Sequence, residues 1–416
     1  MDRLRLGFIG AGFIAKFQAI ALKQVRGVDL VGVVSPNRAG ALAEFAKKNE
    51  LGDCKPYKTI AELCKNCDVV CLFAPNYLRV EMMGQIADAV KAGAKLKGLV
   101  CEKPLGRTVQ EAQELVRLAK SVNLPTSFFE NQLHMKPVKR MIEQLAPQQR
   151  TMGPMTLVRA AEEHGGPHEP WFWDPVRQGG GVLSDMGCHS IAAAWHLLTP
   201  VGKPLTFMEP IAVQAETTLL KWGQKKWRDD LKKRMGVDYS IAPAEDFATG
   251  VITFRNPETK QIVKAQFTVS WMYEKQGMRL YMDGMGPGYA FEIDTLRTPV
   301  SIFIGDAAAE AAADAEIALE KSTATRGLLP VEPNEADLYG YVDEMEDMRD
   351  AFQTGRAPLA DWSYGVEITK LAQAAYMSAE MGRTINLTDP LIQRELVTYK
   401  SAIADGRGRE VLSIVD

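Results

Sequence analysis

Three polar side chains that lie far apart in the sequence are of the types that move a proton to or from a hydroxyl group. Lys103 follows Glu102 after a short apolar run, and Asp185 and His189 lie four residues apart at the start of a predicted helix. Residues at this spacing project from one helix face. Oxidation of a secondary alcohol needs a base for the hydroxyl proton while hydride leaves the same carbon. The imidazole of a histidine suits that role near neutral pH, so His189 is the predicted base.

The other two side chains have predicted supporting roles, and the pair on the helix has a structural alternative. Lys103 can lower the pKa of the alcohol, or act as the base itself if burial lowers its own pKa. Asp185 can orient the imidazole or bind a neighbouring hydroxyl. Alternatively, Asp185 caps the helix N-terminus and His189 is a hydrogen-bonded core residue. We favour catalysis because the remaining motifs agree with it.

A glycine-rich loop near the N-terminus is suited to bind a dinucleotide. Gly10 and Gly12 follow the apolar run Leu6–Ile9 and open a helix-length run. Gly10 permits a tight turn, Gly12 lets the backbone approach a pyrophosphate, and Ala15 lets helix and strand pack closely. The N-terminus of the helix then faces the anion. The predicted cofactor contacts of this loop are Gly10, Gly12, Phe13 and Ile14.

The end of the second predicted strand favours the phosphorylated cofactor. An acid at this position normally hydrogen-bonds the adenosine ribose, but here Ser35 is followed by Pro36, Asn37 and Arg38. A hydroxyl, an amide and a guanidinium can bind a 2′-phosphate, which an acid would repel. We therefore predict NADP rather than NAD, with NAD as the alternative because Arg38 can also stack on adenine or cap the next helix.

The elements that must position these residues fall into two parts. Up to about residue 128, short apolar runs alternate with amphipathic helix-length runs, which is typical of a parallel sheet covered by helices. Beyond about Asn131, β-like runs separated by turns indicate an antiparallel sheet. The sequence thus predicts an α/β Rossmann domain with a doubly wound parallel sheet over 1–128. An α+β substrate-binding and oligomerisation domain with a large, mainly antiparallel open sheet is predicted over 129–416.

Composition and charge exclude several classes of partner. The 416 residues carry 49 basic and 52 acidic side chains, and no basic stripe suited to nucleic acid or anionic lipid is present in the sequence. No stretch is apolar for long enough to span a bilayer, and the N-terminus lacks the pattern of a secretory signal. We predict a cytoplasmic protein with a small-molecule substrate and neither a nucleic-acid nor a membrane partner. The charged stretches Trp222–Met235 and Ala307–Lys321, the second of them helical, are predicted to be solvated.

The cysteines do not form a complete metal site in the sequence. Cys64 and Cys67 have the spacing of a metal or redox pair, but no second pair completes a zinc site. Cys71 falls in an apolar run that is predicted to be a buried strand. We therefore predict buried or incidental reduced thiols and no metal.

An aromatic loop is the best candidate for the substrate pocket. It contains His168, Glu169, Trp171 and Trp173. Indole rings stack on the apolar faces of sugar rings, and His168 and Glu169 can bind hydroxyl groups. Alternatively, Trp171 and Trp173 only pack at the domain interface.

Four segments together resemble the glucose-fructose oxidoreductase / inositol dehydrogenase (Gfo/Idh/MocA) family. They are the Gly10 loop, Glu102–Pro104, Gly179–His189 and the late run Ala375–Arg383, and their order covers nearly the whole chain. The resemblance implies an NAD(P)-dependent oxidoreductase acting on a secondary hydroxyl or ketone of a sugar, sugar derivative or polyol, and a homodimer or homotetramer. It implies that Lys103, Asp185 and His189 lie by the nicotinamide and the substrate hydroxyl. It places further residues at the cofactor: Ala74, Pro75, Asn76, Glu102 and Lys103.

Two positions depart from the usual pattern of that family. Arg79 stands where a histidine is common, and His134 stands where an arginine is common. Each can change the charge of the pocket or can be a surface residue, so specificity for inositol or simple glucose does not carry over. The predicted substrate-binding residues are Lys103, His134, His168, Trp171, Trp173, Asp185 and His189.

Two other functions fit the same motifs. Some relatives in this fold are redox-neutral glycosidases, which use a retained NAD to oxidise a sugar transiently, eliminate the aglycone and reduce the product again. A non-catalytic regulatory protein that binds the cofactor is the third candidate, because a fold does not fix a function. The presence of Lys103 and His189 argues against this last candidate.

Overall fold

The computed structural model describes residues 3–274, 277–297, 300–304, 327–331 and 334–415. The chain forms two compact units: the first contains Met1–Lys136 and Ala336–Lys370, and the second contains Pro137–Glu335 and Leu371–Asp416. The predicted division into functional domains at residues 128 and 129 stays a prediction. In the structure the first unit also includes the segment Ala336–Lys370, which returns to it after the second unit has begun. The predicted helix over Ala307–Lys321 lies outside the described residues.

The first unit is built on six parallel strands. They are β1 (Leu4–Ile9), β2 (Val28–Val34), β3 (Lys55–Pro56), β4 (Val69–Leu72), β5 (Gly98–Glu102) and β6 (Thr126–Phe129). Their order in the sheet is β3-β2-β1-β4-β5-β6. Strands β4 and β5 are buried throughout, as central strands of a parallel sheet are. The predicted doubly wound α/β fold is confirmed, and its topological switch point lies between β1 and β4.

The second unit contains a seven-stranded sheet in the order β12-β11-β7-β10-β9-β8-β15. Only the pair β7 and β10 is parallel, and the other neighbouring strands are antiparallel. The predicted large, mainly antiparallel sheet is thereby confirmed. A separate antiparallel pair is formed by β13 and β14. The strands are β7 (Leu157–Glu163), β8 (Glu209–Thr218), β9 (Phe247–Arg255), β10 (Ile262–Ser270), β11 (Arg279–Gly286), β12 (Tyr289–Asp294), β13 (Val300–Ile304), β14 (Gly327–Val331) and β15 (Ile385–Asn386).

Several helices have a side chain that caps their N-terminus by a hydrogen bond. Thr59 accepts a hydrogen bond from the N–H of Glu62 in a capping box, and Thr108 accepts one from the N–H of Glu111, which satisfies donors that a helix start leaves open. The α-helices are α1 (Phe13–Ala21), α2 (Ala39–Lys48), α3 (Ile60–Cys64), α4 (Arg79–Lys91), α5 (Val109–Ser121), α6 (Lys136–Met152), α7 (Pro175–Gln178), α8 (Cys188–Leu198), α9 (Lys225–Met235), α10 (Glu335–Leu338), α11 (Tyr341–Thr354), α12 (Trp362–Met381) and α13 (Pro390–Thr398).

The returning segment completes the core of the first unit. The ring of Tyr341 packs edge-on against Phe17, with 4.8 Å between the ring centroids. The ring of Phe352 lies so close to Gly98 that a Cβ atom there would be 2.4 Å from it. Close packing of this kind leaves no room for one further methyl group. Helix α11 therefore belongs to the first unit although it follows all strands of the second sheet except β15 in sequence.

Aromatic side chains form part of the core of the second unit. The ring centroid of Trp173 lies 4.8 Å from that of Trp222 and 5.0 Å from that of Trp271, and the Nε1 of Trp222 donates to the carbonyl of Trp271. Trp222 and Leu231 are buried. The prediction that the stretch Trp222–Met235 is solvated is therefore wrong for its apolar residues, which pack inward while most of the charged ones remain outside.

The contact between Gly98 and Phe352 predicts a specific loss of stability. Gly98→Ala should lower the free energy of unfolding by about 1–3 kcal/mol, because the added methyl group overlaps the ring. The matched control is Gly84→Ala within α4, where nothing lies within 4 Å of the added atom; it should be neutral or stabilise by up to about 1 kcal/mol. Urea unfolding of the three proteins measures both effects. A Gly98→Ala protein as stable as the wild type would contradict the described packing.

Candidate active site

The glycine loop after β1 has the shape that an anionic ligand requires. Gly10 has a φ of 111°, and a Cβ atom there would lie 2.6 Å from the carbonyl oxygen of Phe73, so the fold itself requires glycine. Gly12 is the N-cap of α1, and nothing lies within 4 Å of the position of its missing Cβ. No side chain caps this helix by a hydrogen bond. The open space and the uncapped helix start fit the pyrophosphate of a dinucleotide.

The turn after β2 lies beside this loop. The N–H of Gly10 donates to the carbonyl of Val34, the last residue of β2, at 2.9 Å. Ser35 follows and is half-buried, whereas Asn37 and Arg38 are exposed. This end of the strand therefore presents a hydroxyl, an amide and a guanidinium, and no acid, next to the glycine loop.

Arg79 connects the ends of β4 and β5. It is 4% exposed, and its guanidinium donates to the carbonyl oxygens of Ala74, Glu102, Lys103 and Pro104. The alternative that Arg79 is a surface residue is therefore wrong. Arg79 fixes the backbone that carries Lys103, whose side chain is half-buried.

Glu102 belongs to a buried carboxyl pair that the sequence did not reveal. The Nε2 of Gln18 donates to Glu102 at 2.9 Å and to Glu344 at 2.8 Å, and Glu102 also accepts the N–H of Lys103. Burial, followed by the charge of Glu102, raises the pKa of Glu344 well above its ordinary value. Burial thus favours the neutral form of Glu344, which faces Glu102 across the Gln18 amide.

The other predicted residues of the first unit are mostly buried. Ala74 and Asn76 are buried at the end of β4, with Pro75 half-buried between them. His134 is 6% exposed and ends a 3-10 turn, Asn131–His134. The alternative of a surface position for His134 is therefore wrong, and its contact with substrate stays a prediction.

Asp185 and His189 are both buried in the second unit. Asp185 lies in a π-helical turn, Leu183–Gly187, and His189 lies in the first turn of α8; they are 3% and 5% exposed. The N–H of Asp185 donates to the carbonyl of Gly181. Asp185 is therefore inside the helical segment, and the alternative that it caps the helix N-terminus is wrong. Turns of the π type occur frequently at functional sites.

Two buried side chains contact the backbone just ahead of Asp185. Glu245 accepts the N–H groups of Gly181 and Leu183, and the hydroxyl of Tyr376 donates to Glu245 at 2.6 Å. The same hydroxyl accepts the N–H groups of Gly181 and Ser184. Tyr376 belongs to the run Ala375–Arg383 noted in the sequence, but the contacts of both side chains were missed, because they lie 64 and 195 positions from Gly181.

The aromatic loop contains one buried tryptophan, Trp173, and half-buried side chains that include Trp171 and His168. Trp173 is 2% exposed, and its Nε1 donates to the carbonyl of Pro167. Its contacts with Trp222 and Trp271 favour a packing role in the core of the second unit. Trp171 is half-buried and stacks on Phe172 with 3.8 Å between the ring centroids. His168 is also half-buried. Trp171 and His168 thus keep surface that a ligand can contact.

The cysteines are buried and form no disulfide among the described residues. Burial raises the pKa of Cys54 and of Cys64 to about 12, which disfavours the thiolate that nucleophilic or metal-binding chemistry needs. No cluster of three or more His, Cys, Asp or Glu side chains suited to a metal ion occurs in the described part of the chain. In the same part, no helix has the length and apolar character needed to cross a membrane.

Comparison with known protein families assigns both parts of the chain. Residues 4–128 match the oxidoreductase family with an NAD-binding Rossmann fold, and residues 138–285 match the GFO/IDH/MocA C-terminal domain. These two matches cover more than half of the chain.

Proteins similar in sequence include two that are named as sugar dehydrogenases. The chain is 26% identical over 387 residues to D-glucoside 3-dehydrogenase of Escherichia coli, covering 92% of this chain and 97% of the relative. It is 25% identical over 198 residues to glucose-6-phosphate 3-dehydrogenase of Bacillus subtilis, covering 46% of this chain and 53% of the relative. It is 28% identical over 213 residues to an uncharacterised protein of Saccharomyces cerevisiae, covering 49% of this chain and 57% of the relative. The chain thus spans little more than half the length of the last two.

Solved structures share the fold. GenD2 from gentamicin A biosynthesis, in complex with NAD, has a TM-score of 0.72 at 22% identity and covers 94% of this chain and 97% of its own. A putative myo-inositol dehydrogenase from Sinorhizobium meliloti has a TM-score of 0.67 at 19% identity and covers 92% of this chain and 100% of its own. The likeness extends over nearly the whole chain. Both domain matches, the six parallel strands and the glycine loop after β1 agree: the chain belongs to the Gfo/Idh/MocA family of sugar and polyol oxidoreductases with an NAD-binding Rossmann fold.

Proposed function

We propose that this protein is an NAD(P)-dependent dehydrogenase or reductase acting on a secondary hydroxyl or ketone of a sugar, sugar derivative or polyol. The observation that carries the proposal is the open, uncapped loop at Gly12, because none of the described residues comes within 4 Å of where a Cβ atom at Gly12 would lie. When bound, the nicotinamide ring supplies the hydride acceptor or donor. The family matches support the coarser assignment to sugar oxidoreductases.

The proposed roles of the polar side chains follow from their chemistry. His189 takes the proton of the substrate hydroxyl, and Asp185 orients its imidazole or binds a neighbouring hydroxyl. Lys103 lowers the pKa of the hydroxyl through its positive charge. The buried positions of Asp185 and His189 support these roles, since exclusion of water strengthens their electrostatic interactions.

The residues proposed to contact the cofactor lie at or just after the carboxyl ends of β1, β2, β4 and β5. Gly10, Gly12, Phe13 and Ile14 hold the pyrophosphate at the start of α1. The turn with Ser35, Asn37 and Arg38 holds the adenosine ribose and favours a 2′-phosphate. The nicotinamide half contacts the ends of β4 and β5, through Ala74, Pro75, Asn76, Glu102 and Lys103.

The names of two relatives suggest which hydroxyl to test first. D-glucoside 3-dehydrogenase and glucose-6-phosphate 3-dehydrogenase are both named for carbon 3 of a glucose unit. We propose glucosides and glucose derivatives oxidised at carbon 3 as the first substrate class. The half-buried Trp171 and His168 are the proposed contacts to the sugar ring, with His134 as a further predicted contact.

The turn after β2 predicts preference for NADP. Calorimetric titration should give a lower Kd for NADP than for NAD. Ser35→Asp should weaken NADP binding about tenfold or more, which is at least about 1.4 kcal/mol, through repulsion of the 2′-phosphate, and leave NAD binding nearly unchanged. Ser35→Ala is the control that removes the hydroxyl without adding charge. Equal or tighter binding of NAD to the wild type would contradict our interpretation of Ser35 and Arg38.

Removal of the proposed catalytic groups should affect turnover rather than cofactor binding. Lys103→Ala and His189→Ala should each lower kcat by roughly 100-fold or more, because each assists proton transfer, and should weaken cofactor binding far less, because neither side chain is assigned to the pyrophosphate. His196→Ala, on the same helix as His189, is the control. Near-normal turnover of His189→Ala would assign the base to Lys103, and normal turnover of both variants would remove the catalytic assignment.

A third experiment separates the dehydrogenase from a redox-neutral glycosidase. A ketone at carbon 3 makes the C–H bond at carbon 2 acidic and so permits loss of the aglycone from carbon 1. The protein is incubated with 4-nitrophenyl glucosides and with free sugars, each with and without added cofactor. We expect stoichiometric reduced cofactor from the sugar. Catalytic release of nitrophenol without accumulation of reduced cofactor would establish the glycosidase instead.

A further inference from the structure

Glu245 and Tyr376 are fully buried side chains of the second unit that contact the polypeptide just before the π-helical turn. Glu245 Oε1 lies 3.1 Å from the N of Gly181 and 3.0 Å from the N of Leu183. The Tyr376 Oη lies 3.1 Å from the N of Gly181 and 3.2 Å from the N of Ser184. We call these two side chains the 245/376 clamp. The N–H groups of Gly181, Leu183 and Ser184, before and at the start of the turn, are therefore satisfied by only two side chains.

The clamp explains two glycines of the run Gly179–Gly181, namely Gly180 and Gly181. Gly180 has a φ of 140°, and a Cβ atom there would lie 2.1 Å from the Tyr376 hydroxyl. A Cβ atom at Gly181 would lie 2.3 Å from the carbonyl oxygen of Glu245. Close approach of the two side chains is thus the reason for these glycines, which have no role at a pyrophosphate.

The clamped backbone continues directly into the segment with the proposed catalytic groups. The carbonyl of Gly181 accepts the N–H of Asp185 at 3.1 Å, and the N–H of Val182 donates to the Glu245 carbonyl. A shift of Gly181 therefore shifts Asp185, and through the same helix His189. Misplacement of catalytic groups by about 1 Å can reduce a rate on the order of 100-fold.

We propose that Glu245 and Tyr376 are positioning residues that set the orientation of Asp185 and His189. This inference rests on the proposed function, in which those two side chains act on the substrate hydroxyl. The clamp does not touch the substrate. It acts only through the backbone of the turn.

Ionisation of Glu245 should make the effect of the 245/376 clamp depend on pH. Burial raises the pKa of Glu245 to about 7, against the lowering effect of the hydrogen bonds from Tyr376 and the backbone. The other titratable groups that interact with this region are Tyr239, whose own pKa is raised by burial and by the charges of Glu245 and Asp246, and Asp246 itself. Above the pKa of Glu245, its ionised carboxylate accepts charge-assisted hydrogen bonds from the N–H groups of Gly181 and Leu183 and from the Tyr376 hydroxyl.

The sign of the stability effect follows from the direction of this shift. The pKa of Glu245 in the folded protein, about 7, exceeds the ordinary glutamate value of 4.5. The stabilisation from protonated Glu245 is complete below the lower value and is lost as the pH rises through the higher one. The wild type should therefore lose more stability over this interval than Glu245→Gln, which cannot ionise.

The decisive measurement is the ratio of kcat between the wild type and Glu245→Gln as a function of pH. Effects of pH that are common to both proteins cancel in this ratio. Below the pKa of about 7 both side chains are neutral, and the ratio should be within about threefold. Above it the ratio should rise to roughly 10-fold or more, because only the wild type then has the charged acceptor. The Kd of the cofactor should stay unchanged.

Tyr376→Phe provides a second, independent variant. It leaves the carboxylate and removes the hydrogen bond that lowers the pKa of Glu245, so the step in its pH profile should move to higher pH. Tyr239→Phe is the matched control: Tyr239 is also buried, and its hydroxyl has no hydrogen-bond partner within the described residues. The control should keep the kcat and the pH profile of the wild type.

The outcomes distinguish the inference from the proposed function. If His189→Ala loses activity but the ratio of wild type to Glu245→Gln does not vary with pH, the clamp only supports folding and the inference is wrong. The same conclusion follows if Tyr376→Phe leaves the midpoint unmoved. If His189→Ala and Lys103→Ala both retain full activity, the catalytic assignment on which the inference rests fails. Should Glu245→Gln not fold, the shift in Tyr376→Phe alone decides the question.

Discussion

Backbone polar groups that are buried must be hydrogen-bonded, and both candidate parts of the site meet this requirement with a charged or ionisable side chain from elsewhere in the fold. In the first unit the donor side chain is Arg79, which satisfies four carbonyl groups at the ends of β4 and β5. In the second unit the acceptors are Glu245 and Tyr376, which satisfy N–H groups before and at the start of the π-helical turn. The loops with Lys103 and Asp185 are consequently ordered by the interior of their own unit.

This requirement also accounts for the unusual number of buried acids near these loops. Glu245 and Glu344 are both inside the protein, and in both cases burial raises the pKa. A buried carboxyl group is costly unless hydrogen-bonded or protonated. Glu344 shares the amide of Gln18 with Glu102, and Glu245 shares its donors with Tyr376. The cost of burial is therefore offset by bonds that also fix the local backbone.

The sequence predicted what local patterns encode. Alternation of apolar runs identified both sheets, and the spacing of glycines after Leu6–Ile9 identified the loop at α1, because periodicity and turn chemistry act over a few residues. The return of Tyr341 and Phe352 to the first unit, and the approach of Tyr376 to Gly181, are contacts between distant positions that no local pattern records. Asp185 and His189 were predicted from residue type and spacing, and their role stays a prediction. No local pattern indicated the π-helical turn, where the N–H of Leu183 donates to Glu245. Arg79 was noticed as unusual, yet only its burial showed which atoms it binds.

The two glycines of the loop after β1 differ in what constrains them. Gly10 is fixed by the protein, since any side chain there would overlap the backbone at Phe73. Gly12 meets no such obstacle, and its φ of −80° is open to every amino acid. Natural variation at these two positions therefore carries separate information: the first records the demands of folding, and the second records the presence of a ligand. A family member with a bulky residue at the second position would keep the architecture while having lost its reason to hold a dinucleotide.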